Sequence, residues 1–425
     1  MPRQIGTEPR PQEPAMNVAV QRPKGTRDFL PRDMERRRWL ETQLRTSAAI
    51  FGFREVGTPA FEHVELFTLR SGQGIIEDMY DFRDKGGRHL ALRPELTAPT
   101  MRLFIEGLLG EPKPLKLFYF GNCFRYEQPQ RGRFREFWQF GAEILGAGKV
   151  PGEVELISLA DACLKASGVK NYVLRIGHVG VLRKLLENAG VPLEKQAPLM
   201  PMIDKRDHDA LRASLEGLGA DAGRVMEVLR SSGGREILSK VPGSGLEEVL
   251  DGLAGAGVGG YVIEPGIARG LDYYTGMVFE ADVPDLGAEK QVLGGGTYAL
   301  SEILGGESIE STGFAIGFDR VLVALETQQA AFPARKMDFH IIPMGPSERT
   351  RALEVLAAIR NAGIPADIDI SGRNLSKALK YASLTGASQA VIIGEEELKN
   401  GTLSVKDLSS GEQRVARLED SREVE

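Results

Sequence analysis

The chain has 425 residues, 42% of them hydrophobic, which is enough to bury a large core and, at about 150 residues per domain, to build two or three domains. No apolar run approaches the roughly 20 residues that cross a bilayer, and the N-terminal stretch lacks the apolar core and cleavage site of an export signal, so a cytoplasmic protein without membrane contact is expected. The net charge of -6 argues against indiscriminate coating of nucleic acid and leaves room for a local basic surface.

Residues 1–22 mix Pro, Gln, Glu and Arg with little apolar content and read as a flexible extension. From Pro31, apolar Trp39, Leu40, Leu44, Ala48 and Phe51 recur at three- and four-residue steps amid charge, which predicts an amphipathic helix. Gly57 and Pro59 in REVGTPAFEHVELF break it and start an extended strand. Residues 115–145 alternate apolar and polar on both sides of QPQRGR, predicting a long hairpin with a basic loop. From about 185 to 257 the pattern turns to helical periods broken by Gly and Pro, a helical insertion within a sheet domain spanning 23–330. Strand signals return at GYVIEPG, MVFEADV and GFAIGF, ahead of the helix DRVLVALE. Strands DFHIIPM, ADIDI and QAVIIG then alternate with two helices, predicting a separate α/β domain over 334–425 with a mostly parallel sheet. Cys123 and Cys163 stand in no metal pattern, and His63, His89, His178, His208 and His340 lack ligand spacing, so neither a disulfide nor a structural metal is expected.

Residues two apart share a face of a strand. Arg125 and Glu127 would then point one way on the first hairpin strand, and Gln139 and Glu143 on the second, with Gly141 between them leaving a gap where a ligand approaches the backbone. The Arg125 guanidinium matches phosphate or carboxylate oxygens, while Arg131, Arg133 and Arg135 add charge suited to polyphosphate or RNA. A solvated hairpin with ordinary cross-strand ion pairs carries the same charges. In RPELT, Glu95 and Thr97 share one face of an extended segment and suit an ammonium group; Glu95 paired to an arginine, with Thr97 capping a helix, also fits. ARGLDYYTG joins an arginine to two tyrosines whose hydroxyls would hydrogen-bond an imidazole and reject aliphatic rivals, or which are core aromatics of a strand.

These strings carry a resemblance. FRYEQPQRGRFREFWQFGAE resembles the second signature motif of class II aminoacyl-tRNA synthetases, and STGFAIGFDRVLVALE the third. The hairpin string and RGLDYYTG are most similar to the histidyl enzymes of class IIa, and the likeness runs from PKGTRD at residues 23–28 through the α/β domain. It implies an α+β catalytic domain built on an antiparallel sheet, with a helical insertion and a C-terminal α/β anticodon-binding domain. The implied reaction joins histidine to ATP as histidyl-adenylate and passes it to the 3′ end of tRNA(His), releasing AMP and diphosphate, with Mg²⁺ accompanying ATP. By the same resemblance Arg125 and Arg269 are catalytic; Glu95, Leu96, Thr97, Gln139, Glu143, Arg269, Tyr273 and Tyr274 bind histidine; and Arg125, Glu127, Arg133, Phe137 and Arg320 bind ATP. Gln130 and Arg131 would meet the tRNA acceptor end, and Arg373, Lys377 and Lys380, a basic stripe near one helix face or a merely solvated one, the anticodon. The first motif, ending near Pro59, implies a homodimer. One departure stands out: GGGTYA at residues 294–299 replaces the family's Gly-Gly-Arg-Tyr-Asp, putting contacts of that loop in doubt.

Two rivals follow. A regulatory paralogue of ATP phosphoribosyltransferase shares the sheet domain but typically lacks an anticodon-binding domain, and other class IIa synthetases would build their pocket without paired tyrosines.

Overall fold

The computed structural model describes residues 21–69, 76–128, 132–240, 244–267, 274–333 and 337–417. The chain divides into two compact units, residues 1–331 and 332–425.

Helix Pro31–Ile50 opens the first unit, with Pro31 in its first turn and the Leu30 N–H donating to the Asp33 carboxylate at 3.0 Å. Leu40, Leu44 and Ala48 are buried along one stripe, as their spacing predicts, but the buried face also includes Arg37. The following segment yields two short strands, β1 (Arg54–Glu55) and β2 (Phe61–His63), in place of one. With β3 (Tyr80–Arg83) and β4 (His89–Leu92), β2 forms a small antiparallel sheet in the order β2-β4-β3.

The hairpin consists of β5 (Leu115–Phe124) and β6 (Glu136–Leu145), paired from Leu115↔Leu145 to Phe124↔Glu136. It continues into a sheet completed by β7 (Val173–His178), β8 (Tyr261–Ile263), β9 (Tyr274–Asp282), β10 (Gln291–Tyr298) and β11 (Ser311–Gly317). Among the described residues the order is β1-β5-β6-β11-β10-β9-β7-β8, antiparallel throughout except for the edge pairs β1–β5 and β7–β8. Helix Lys149–Ser167 packs behind β6, β10 and β11.

Strand β10 carries almost no strand signal, because Gly294, Gly295 and Gly296 lack side chains to advertise one. Packing explains them. A methyl group on Gly295 would stand 2.4 Å from the Gly313 carbonyl, and one on Gly296 2.5 Å from that of Met277. The glycines are thus requirements of a crowded sheet centre, and the presumed loop is a central strand.

The helical run begins at Val179, earlier than expected, because His178 at the end of β7 already caps helix Val179–Asn188. Its last helix, Leu246–Gly255, packs on helix Lys149–Ser167 and so backs the sheet; a side chain at Gly252 would lie 2.6 Å from Val154.

In the second unit, β13 (Ala366–Ile368), β12 (Met337–Pro343) and β14 (Ala387–Ile393) run parallel, with helices Arg349–Asn361 and Leu375–Leu384 as connections. The sheet then continues antiparallel through β15 (Thr402–Asp407) and β16 (Gln413–Arg417), two strands the sequence reading lacks.

Candidate active site

The front face of the main sheet is floored with glycine where β6, β10 and β11 meet, since Gly141, Gly294, Gly296, Gly313 and Gly317 all fall on it by the pairing registers. Above one end lies a cleft of about 270 Å³ whose wall includes Arg125, Glu127, Arg133, Phe137, Gln139 and Arg320. All five residues expected to meet ATP therefore line one cavity. Arg125 and Glu127, expected on β5, stand just beyond its end, where the Arg125 N–H still donates to Arg135 O at 3.0 Å.

Two glutamates hold the three arginines in place. Glu127 lies 3.8 Å from Arg125 and 3.6 Å from Arg133; Glu289 accepts from Arg133 at 2.8 Å and Arg320 at 3.1 Å. Arg125 also donates to Pro94 O at 2.9 Å, and Arg320 to Gln291 O at 2.8 Å. Burial lowers the Arg320 pKa, the charge of Glu289 opposing and that of Arg133 adding. A partly desolvated cation that prefers more negative charge is suited to a phosphate.

Asp319, which the sequence did not single out, is 3% exposed and accepts from Arg27 at 2.6 Å, Arg37 at 2.6 Å and the Trp138 N–H at 2.7 Å. It ties the N-terminal segment, helix Pro31–Ile50 and β6 together beside Arg320.

Further along β6, Glu143 is 1% exposed. Tyr119 donates to one of its oxygens at 2.9 Å and Tyr298 to the other at 2.7 Å. Any side chain at Gly313 would collide with it, the closest approach being 1.5 Å. Burial raises the Glu143 pKa from 4.5 to about 8, although Tyr298, Tyr119 and Thr97 pull it down. Tyr119 also fills the space over Gly141, so the gap expected there for a ligand holds a tyrosine ring. Its hydroxyl lies 3.3 Å from Thr97 Oγ1.

Glu95 does not share an extended face with Thr97. It caps helix Thr97–Gly107, accepting from the Thr97 N–H at 2.6 Å and the Ala98 N–H at 3.0 Å. Burial raises its pKa against those bonds and the charge of Arg125. Leu96 packs with Tyr119 and Cys123 and so supports the tyrosine. The Cys123 thiol lies 3.4 Å from Gln139 Oε1, leaving the Gln139 amide nitrogen as donor toward the cleft.

Tyr274 is buried, its ring 6.4 Å from Tyr298 in an edge-on arrangement. Arg269 and Tyr273, like Gln130 and Arg131, lie outside the described residues. Tyr119 and Tyr298 were missed as site residues. Tyr298 was visible in GGGTYA, and Tyr119 as a residue paired with Gly141 across the hairpin. The missing arginine of that string leaves the pocket untouched: Thr297 points behind the sheet and donates to Glu153 at 2.5 Å.

In the second unit the expected stripe divides. Arg373 precedes helix Leu375–Leu384, is ion-paired to Asp369 and stacks 4.0 Å from the Tyr381 ring centre. Lys377 and Lys380 are exposed on the helix.

A buried acid pocket joined along one strand to an arginine-walled cleft is the arrangement of an aminoacyl-tRNA synthetase, which must hold an amino acid against ATP. Residues 25–321 match the family model for histidyl-tRNA synthetase and residues 338–424 that for an anticodon-binding domain. The chain is 45% identical to a histidine–tRNA ligase of Methanosarcina acetivorans over 95% of its length and 98% of the relative's. An apo histidyl-tRNA synthetase structure from S. aureus matches 94% of the chain and 98% of that protein, with TM-score 0.73 and 29% identity. A Bacillus halodurans structure, titled ATP phosphoribosyltransferase regulatory subunit/histidyl-tRNA synthetase, matches 87% and 97%, with TM-score 0.75 and 25% identity. The chain belongs to the histidyl-tRNA synthetase family, ligases that charge tRNA(His) with histidine.

The raised Glu143 pKa has a testable sign. The folded protein retains a proton that the unfolded chain releases near pH 4.5, so this residue's contribution falls as pH rises from about 5 through 8, by up to about 1.4 kcal/mol per unit. Denaturation of Glu143→Gln is expected to show a flatter stability profile across that window than the unsubstituted protein; parallel profiles would contradict it.

Proposed function

We propose a division of labour within the histidine-ligating site. Arg125, Arg133 and Arg320 hold the ATP triphosphate, Phe137 and Glu127 complete that wall, and Arg269 joins Arg125 at the α-phosphate. Glu95, Thr97 and Gln139 face the substrate ammonium, while Glu143, oriented by Tyr119 and Tyr298, takes the imidazole with Tyr273 and Tyr274 alongside. The observation that carries this reading is Glu143 itself: a carboxyl group buried between two tyrosine donors, on the strand that leads from Gln139 in the cleft. A substrate imidazole offers such a group a further N–H donor, whereas an aliphatic side chain offers none.

In the first step a histidine carboxylate oxygen attacks the α-phosphorus and diphosphate leaves. In the second, the terminal ribose hydroxyl of tRNA attacks the acyl carbon, losing its proton as AMP departs. Neither step needs a side-chain nucleophile, so placement and charge stabilisation supply the rate. Mg²⁺ would come bound to the ATP phosphates and neutralise their charge, and Glu127 would be the carboxylate to share it, since Asp319, the other on the cleft wall, is taken up by Arg27, Arg37 and the Trp138 N–H. Residues 23–330 act as the catalytic domain and 334–425 read the anticodon, where Arg373 on Tyr381, with Lys377 and Lys380, offers a stacking and charged surface for unpaired bases; Gln130 and Arg131 meet the acceptor end. No described helix is long and apolar enough to cross a membrane, and the cytoplasm is the compartment in which such a ligase meets its tRNA.

ATP–diphosphate exchange with each of the twenty amino acids is expected to respond to histidine alone. Arg269→Ala should lower that exchange by about a hundredfold or more with its melting temperature preserved. Exchange with another amino acid would redirect the substrate; none at all would favour the regulatory reading; an unchanged rate in the folded variant would remove Arg269 from the chemistry.

Two copies would meet through the small sheet. Phe61 and Phe82 project from β2 and β3 at 53% and 41% exposure, their ring centres 6.4 Å apart, an apolar patch suited to a second copy. The double variant Phe61→Glu/Phe82→Glu is expected to sediment as a monomer while the unsubstituted protein sediments as a dimer. Identical sedimentation of the two would refute this interface.

A further inference from the structure

Away from the glycine floor, a second cavity of about 240 Å³ lies between the inserted helices and the segment that follows β8. Its lining combines buried Ile203, Leu211 and Leu229 with a polar set, Arg206, His208, Arg230, Ser232 and Glu264, that forms its rim. Three features of that rim point to a ligand.

The first is an orphan. His208 Nδ1 is buried and has no hydrogen-bond partner among the described residues. A buried ring nitrogen left this way is unfavourable, and because it is closed off as the ring stands, a turn of the imidazole is what brings it to a ligand in the cavity. The second is an exposed cation, Arg230, which makes no ion pair with any described carboxylate. The third is a cation already fixed in place. Arg206 donates to Glu264 at 2.7 Å, and Glu264 is in turn gripped by Arg175 at 2.9 Å. Arg175 also pairs with Glu280 and with Asp282, the latter at 3.1 Å, so the clamp is anchored in strands β7 and β9. Glu264 is the one carboxylate among the described residues of the cavity wall, and it pairs with Arg206 and with Arg175, which it shares with Glu280 and Asp282. The chain reaches this geometry by passing Arg206 through the left-handed region at φ 55°, an uncommon conformation for a residue with a side chain.

We propose that this cavity is a second anion site, taking a phosphate group between Arg230, Arg206 and His208 while the organic remainder of the ester rests on Ile203, Leu211 and Leu229. Two guanidinium groups match phosphate oxygens, one ring nitrogen supplies a further contact, and the apolar floor favours an ester over the bare ion. The phosphate is carried by a small metabolite or by a nucleic-acid strand, which share this chemistry. The inference makes no use of the roles assigned in the ATP cleft.

The chain has five histidines, so ring signals of ¹³C-histidine-labelled protein are few and His208 is identified by the signal lost in His208→Gln. With the main cleft saturated by histidine and a non-hydrolysable ATP analogue, sodium phosphate is titrated against sodium chloride at equal ionic strength. The His208 signal is expected to shift saturably with phosphate alone, about tenfold more weakly in Arg230→Ala, with recovery in Arg230→Lys. A second titration uses tRNA(His) without phosphate. Movement of the same signal, reversed by added phosphate, assigns the site to strand phosphate; a signal moved only by free phosphate assigns it to a small ester. A His208 signal indifferent to both, or a shift of equal strength in Arg230→Ala, overturns the proposal.

Discussion

The structure depends on the burial of one carboxyl group. Glu143 sits in the middle of a β-sheet, where an unpaired acid costs several kcal/mol, and the surrounding architecture meets that cost. Gly313 on the adjacent β11 vacates the space its side chain occupies, and Tyr119 from neighbouring β5 and Tyr298 from β10, beyond β11, donate to its two oxygens. Those tyrosines in turn fix what lies near them. Tyr119 needs Gly141 beneath its ring and Leu96 behind it, and it reaches Thr97, whose backbone is held by Glu95. A single line of contacts therefore runs from the capped helix Thr97–Gly107 through Tyr119 and Glu143 to Tyr298 on β10.

The arginine cleft answers a different demand. Three guanidinium groups in one cavity repel each other, and Glu127 and Glu289 share the task of separating them. Asp319 adds a third brace by drawing Arg27 and Arg37 onto the start of helix Phe318–Thr327. This arrangement fixes the orientation of the arginines, as the triphosphate-holding role proposed for them requires.

Much of this was legible in the sequence. Alternation located the long hairpin, helical spacing located Pro31–Ile50, and the strings FRYEQPQRGR and FDR named residues that share one cleft. What escaped has physical causes. A strand made of consecutive glycines has no side-chain period, so β10 read as a loop until its neighbours showed why nothing larger fits. Asp319 drew no notice because its three partners come from distant parts of the chain. Glu95 was placed on a strand face because a two-residue spacing looks the same whether the acid lines a pocket or caps the next helix. The Thr297 departure put contacts of its loop in doubt, and strand parity sends that residue to the back of the sheet.

The most direct test is steady-state exchange kinetics of Tyr298→Phe, which removes one hydroxyl from Glu143 and leaves the aromatic packing. A hydrogen bond to a carboxyl group that burial keeps protonated is worth about 0.5–1.5 kcal/mol, so KM for histidine should rise by up to about tenfold, with KM for ATP unchanged. An unchanged KM for histidine, or an equal rise for both substrates, would contradict the account of Glu143 as the residue that selects the amino acid.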